Sequence, residues 1–60
     1  MNKKILRKII KILKNDSVSA YDLQQIFSLS QSGIVDIILE IKKTYIISKN
    51  GRNLHIISKK

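Results

Sequence analysis

Two copies of one helix-opening device, at Ser19 and at Ser30, constrain this chain more than anything else in its sequence. In Val18-Ser19-Ala20-Tyr21-Asp22-Leu23, Ser19 stands where a hydroxyl accepts from a first-turn N–H group. Asp22 stands where an acid closes a capping box, and Val18 where an apolar residue staples onto Leu23. Leu29-Ser30-Gln31-Ser32-Gly33-Ile34 repeats the arrangement, with Ser30 as cap and Leu29 and Ile34 at the staple positions; only the acid is missing. The spacing predicts a helix over Ala20 to Phe27, a link of Ser28 to Ser30, and a further helix from Gln31 to about Lys43.

Upstream, residues 2–14 contain no helix breaker, and Ile5, Leu6, Ile9, Ile10, Ile12 and Leu13 fall within an arc of about 160° on a helical wheel. Lys3, Lys4, Arg7, Lys8, Lys11 and Lys14 fill the opposite arc. Lys3 and Lys4 lie at the N-terminal end, where a cation opposes the helix dipole and costs about 0.3 to 1 kcal/mol. Helix stability alone does not place them there. A solvated face, a phosphate-contacting face and a face lying on an anionic membrane compete, and the lack of Trp or Phe on the apolar side weighs against the last. After the polar break Asn15-Asp16-Ser17, Val18 is expected as a short strand residue that completes a three-stranded sheet. In the helix that follows, Leu23, Ile26 and Phe27 are expected to face the core and Tyr21, Gln24 and Gln25 the solvent. In the last helix Ile34, Ile37, Ile38 and Ile41 make the core arc. Its outward arc carries Ser32, Val35, Asp36, Leu39, Glu40 and Lys43.

Tyr45 to Lys49 and Arg52 to Ser58 are β-branched apolar runs separated by Asn50-Gly51, a strong hairpin signal. A two-residue type I′ turn pairs Lys49 with Arg52, Ile47 with Leu54 and Tyr45 with Ile56. Tyr45, Ile47, Leu54 and Ile56 then face the core, and Ile46, Ser48, Asn53, His55 and Ile57 face out. Like charges directly opposite at the tip repel unless an anion lies near.

The chain carries 12 Lys and Arg against 4 acids, a formal charge of +8 on 60 residues. Such self-repulsion destabilises a small fold and is relieved by a polyanion, so nucleic acid is the leading partner class. Sixty residues suffice for one domain, expected here over 1–60. No cysteine is present, so neither a disulfide nor a thiolate metal site is available. The apolar runs fall far short of the roughly 18 residues of a membrane span, and no signal-peptide pattern is seen; a cytoplasmic location is expected.

A helix, two closely linked helices and a hairpin with a basic tip together resemble the winged-helix (winged helix-turn-helix) family of DNA-binding domains. The resemblance covers nearly the whole chain. It is carried by Leu29-Ser30-Gln31-Ser32-Gly33-Ile34, then Ile37, Ile38 and Ile41, then Tyr45-Ile46-Ile47 leading into the wing. It implies a mainly α fold with a small β-hairpin (α+β), a three-helix core plus a β-wing over about 45–58. It also implies that the third helix enters the major groove, giving base contacts to Gln31 and Ser32, and that the wing touches an adjacent groove or backbone through Lys49, Asn50 and Arg52. Val35, Asp36 and Leu39 stand where the family commonly has basic or polar residues. Binding is therefore expected to run through phosphates, with Lys3, Lys4, Arg7, Lys8, Lys11 and Lys43 beside the wing cations, and with little base discrimination.

Val35 and Leu39, joined by Ile46 and Ile57, are expected to form an exposed apolar interface for a protein partner. The leading expectation is an accessory subunit of a larger replication, recombination or transcription protein, binding single- or double-stranded DNA. A homodimeric, sequence-specific transcriptional repressor and an interaction module without DNA binding are the alternatives. Catalysis is not expected: His55 has no second ligand in sequence, the four acids are scattered, and Asp36 and Glu40, though i, i+4, read as a solvated pair beside Lys43. No cofactor, metal or small-molecule substrate is expected.

Overall fold

The caps decide where the helices begin. In a computed structural model that describes residues 2–60, α1 spans Lys3–Asn15, α2 Ala20–Phe27 and α3 Gln31–Lys42. Ser19 Oγ accepts from the Asp22 N–H at 3.1 Å and Ser30 Oγ from the Gly33 N–H at 3.0 Å. A Cβ at Gly33 would lie 3.1 Å from that same hydroxyl, so the second device works with a glycine where the first has an acid. Of the expected capping box around Ser19, only this forward bond is present among the described residues. Sequence reasoning gave α1 no cap, but Asn2 supplies one: its Oδ1 accepts from the N–H groups of Lys4 and Ile5 at 2.9 and 3.4 Å. Ser28 ends α2 in the left-handed conformation (φ 54, ψ 47), and both its N–H and that of Leu29 turn back onto the Gln24 carbonyl.

The strands are β1, Val18–Ser19, β2, Tyr45–Asn50, and β3, Asn53–Lys59, in one antiparallel sheet of order β1-β3-β2. Val18 is thus the strand residue expected of it. Three helices with this small sheet make an α+β fold compatible with a winged-helix topology. The core comprises Ile9 and Leu13 of α1, Leu23 of α2, Ile34, Ile37 and Ile41 of α3, and Leu54 and Ile56 of β3, with no buried polar side chain among the described residues. Val18 and Leu29, the two staple residues, pack against its edge. Lys14 Nζ sits 5.0 Å from the centre of the Tyr45 ring, tying the end of α1 to the start of β2. His55 Nδ1 lies 3.2 Å from the Asp16 carbonyl oxygen, to which it donates in the tautomer protonated there.

Two expectations are corrected. Ile26 is 59% exposed and does not join Leu23 and Phe27 in the core. The wheel explains it: Leu23 and Phe27 differ by about 40° and Ile26 lies some 60° from Leu23 on the far side, so a helix packed chiefly against α3 and β1 buries Leu23, half-buries Phe27 and leaves Ile26 in solvent. The hairpin register also differs. Asn50 pairs with Asn53, Lys49 with Leu54 and Ile47 with Ile56, so the loop is Gly51-Arg52 and Lys49 does not stand opposite Arg52. Gly51 has φ +64 and Arg52 has no positive φ, the sign pattern of a type II′ turn, with glycine first. From Ile47 to the turn the shift moves each partner by two residues, which leaves these side chains on their expected faces, while Tyr45 moves by three, from Ile56 to Lys59. Leu54 and Ile56 are buried and Tyr45 and Ile47 half-buried, while Ile46 and Ile57 stay exposed. Beyond Ile47 the register shifts again: Ile46 pairs with Ser58, so Ile57 is an extra residue in β3.

Candidate nucleic-acid interface

All twelve lysines and arginines are exposed. Among the described residues the only ion pair joins Lys43 Nζ to Glu40 Oε2 at 3.1 Å, within α3. Eleven cations therefore have no acidic partner there. They fall into two main groups.

The first group lies on α1, where Lys3, Lys4, Arg7, Lys8 and Lys11 occupy the solvent side of a helix whose other side holds Ile9 and Leu13 in the core. A 3.6-residue period keeps these cations on one stripe. The α1 first turn contains no acid.

The second group surrounds a cleft of about 380 Å³ between the start of α2, the end of α3 and the hairpin. Lys42, Lys49 and Arg52 line it with Ser19, Ala20 and Tyr21; Ile38 and Leu54 complete the lining. No acid lines it. Sequence reasoning paired Lys49 with Arg52 across the hairpin, whereas the fold brings them to one cavity by a different route: Arg52 from the turn, Lys49 from the strand. Lys42 was missed in favour of Lys43. The available signal was its position four residues after Ile38, at the edge of the core arc, while Lys43 falls beside Glu40 on the outward arc.

Other candidate residues are not drawn into this cleft. Gln31 and Ser32 are exposed at the start of α3, about 16 Å along the helix axis from Lys42. The Ser32 hydroxyl lies 3.3 Å from that of Ser30, and these two hydroxyls can share a hydrogen bond. Asn50 is exposed at the end of β2, and Lys43 is engaged by Glu40. Val35, Leu39, Ile46 and Ile57 are all exposed, between 42% and 59%. The outward arc of α3 thus presents aliphatic and acidic groups where base-reading donors would stand.

Among the described residues no helix is long and apolar enough to cross a membrane, and no group of three or more His, Cys, Asp or Glu side chains could hold a metal ion. No family model, curated protein or solved structure matches the chain. What it binds has to be read from its own surface.

Proposed function

We propose that this chain is a small winged-helix-type DNA-binding protein that engages nucleic acid mainly through backbone phosphates, with weak sequence discrimination, and serves as an accessory subunit of a larger replication, recombination or transcription protein. One observation carries the reading: twelve exposed cations face solvent with one ion pair among them. Unpaired like charges at this density repel one another, and a polyanion that releases its counterions converts that cost into affinity. The poverty of base-reading groups on α3 supports weak discrimination, since phosphate contacts position a protein without reporting sequence. The exposed Val35 and Leu39 support a protein partner, because exposed aliphatics on the outer face of α3 favour association.

The test is a salt titration of affinity for unrelated DNA duplexes, read by fluorescence anisotropy. A steep negative log–log slope with similar affinities across sequences is expected. A flat slope would remove the phosphate reading. Selection from random duplexes that returned a palindrome would replace it with the homodimeric repressor.

A further inference from the structure

The cleft beneath the hairpin differs in kind from a basic surface, and the difference points to what enters it. Its volume, about 380 Å³, lies in the range of roughly 300 to 1,000 Å³ typical of sites that enclose small organic groups. The lining combines three cations with the apolar side chains of Ile38 and Leu54. Tyr21 stands in the same lining, 67% exposed, with no hydrogen bond from its hydroxyl among the described residues. The only cation–aromatic contact among the described residues belongs to Lys14 and Tyr45, so the Tyr21 ring is not occupied in that way.

Ordinary stability accounts for little of this. Lys42 lies in the last turn of α3, where a cation complements the helix dipole. Lys49 and Arg52 have no such reason to share a cavity with it, and three like charges around one space repel. An exposed tyrosine contributes little to the fold. An anion joined to a flat ring answers these features together: the charge goes to the cations and the ring to Tyr21, beside the apolar side chains of Ile38 and Leu54.

We propose that this cleft holds one unpaired nucleotide of a single DNA strand, its phosphate against Lys42, Lys49 and Arg52 and its base against the exposed ring of Tyr21. The proposal rests on the nucleic-acid reading above and names the form of nucleic acid: unpaired bases, which stack on aromatic side chains irrespective of sequence. The basic stripe of α1 then follows the strand's neighbouring phosphates or those of an adjoining duplex.

The experiment uses the full chain with three probes: a labelled oligothymidylate of about ten nucleotides, within the usual site size, a blunt duplex of equal phosphate number, and thymidine monophosphate. Tyr21→Ala removes an exposed side chain from a helix, so the fold is expected to stand, and circular dichroism verifies it. The variant should bind the oligothymidylate about tenfold more weakly or worse, as loss of one stacking platform predicts, with a much smaller loss on the duplex. Tyr21→Phe, which keeps the ring, should retain single-strand binding. Replacing Lys42, Lys49 and Arg52 by Gln should shallow the single-strand salt slope by roughly 0.7 units, the share of the one phosphate they hold.

Equal losses on both probes, or no loss, with Tyr21→Ala would overturn the cleft proposal while leaving the phosphate reading intact, provided the wild-type salt slope stays steep. A flat wild-type slope on both polymers removes both. Thymidine monophosphate competing as well as the oligothymidylate would make the cleft a site for free nucleotides and overturn its assignment to a strand.

Discussion

The solvent side of α1 and the cleft beneath the hairpin carry the same charge in opposite shapes. On α1 the cations stand on a convex stripe, set by helical period alone, and every one of them comes from a single element. In the cleft they come from α3, β2 and the turn, and they line an open concavity together with Tyr21. A convex stripe neutralises a backbone but holds no base; a concave one can do both. Charge count therefore speaks to the class of partner, and shape to the form that partner takes.

The largest effect should come from the core that both regions stand on. Leu13 is fully buried where α1 meets the sheet, and Leu13→Ala should cost about 2 to 5 kcal/mol by urea denaturation. On a 60-residue fold that is enough to blur the comparison, because stripe and cleft would be lost together. If nucleic-acid binding survived in a chain shown to be unfolded, neither shape would matter.

A sharper separation comes from Gly51, whose φ of +64 suits glycine and strains a side chain by about 1 to 2 kcal/mol. Gly51→Ala should lower the melting temperature and displace Arg52, weakening oligothymidylate binding more than duplex binding. Equal weakening of the two would argue that the turn does not shape the cleft.

The stripe can be altered in the reverse sense. Lys3→Glu with Lys4→Glu places acids where the α1 dipole favours them, adding about 0.3 to 1 kcal/mol each. The double variant should melt higher and bind duplex more weakly, with the cleft's preference for unpaired bases kept. A gain in stability without loss of affinity would show that this end of α1 is merely solvated.

The smallest change in stability is expected outside both regions. Leu39 is 54% exposed on α3, so Leu39→Lys should alter stability by no more than about 0.5 kcal/mol and leave both DNA forms bound. What it should weaken is association with a second protein or a second copy, read by sedimentation. A marked fall in melting temperature would instead mean that the side chain is part of the core.

The helices and their limits could be read from the sequence because the interactions that start them are local. Ser19, Ser30 and their staples act within five residues, and the observed α2 and the start of α3 coincide with the expected ones. Likewise, strand alternation placed Leu54 and Ile56 inward even though the register was read two residues off, since a two-residue slip preserves the face. Which turn closes the hairpin was not local. Asn50-Gly51 and Gly51-Arg52 are both acceptable loops; in the fold, Asn53 and Leu54 pair on one side with Asn50 and Lys49 and on the other with Ser19 and Val18. That second partner is more than thirty residues away in sequence, and both ladders begin at Asn53, with Arg52 outside them. Lys42 and Tyr21 are the same case at the candidate site. Each reads from its own helix as an ordinary surface residue, and only the packing of α2, α3 and the hairpin around one space makes them neighbours. Composition and period determine how much positive charge this chain carries and on which helix face; the enclosure of part of it in a cleft belongs to the tertiary structure, because no local interaction specifies a contact between distant elements.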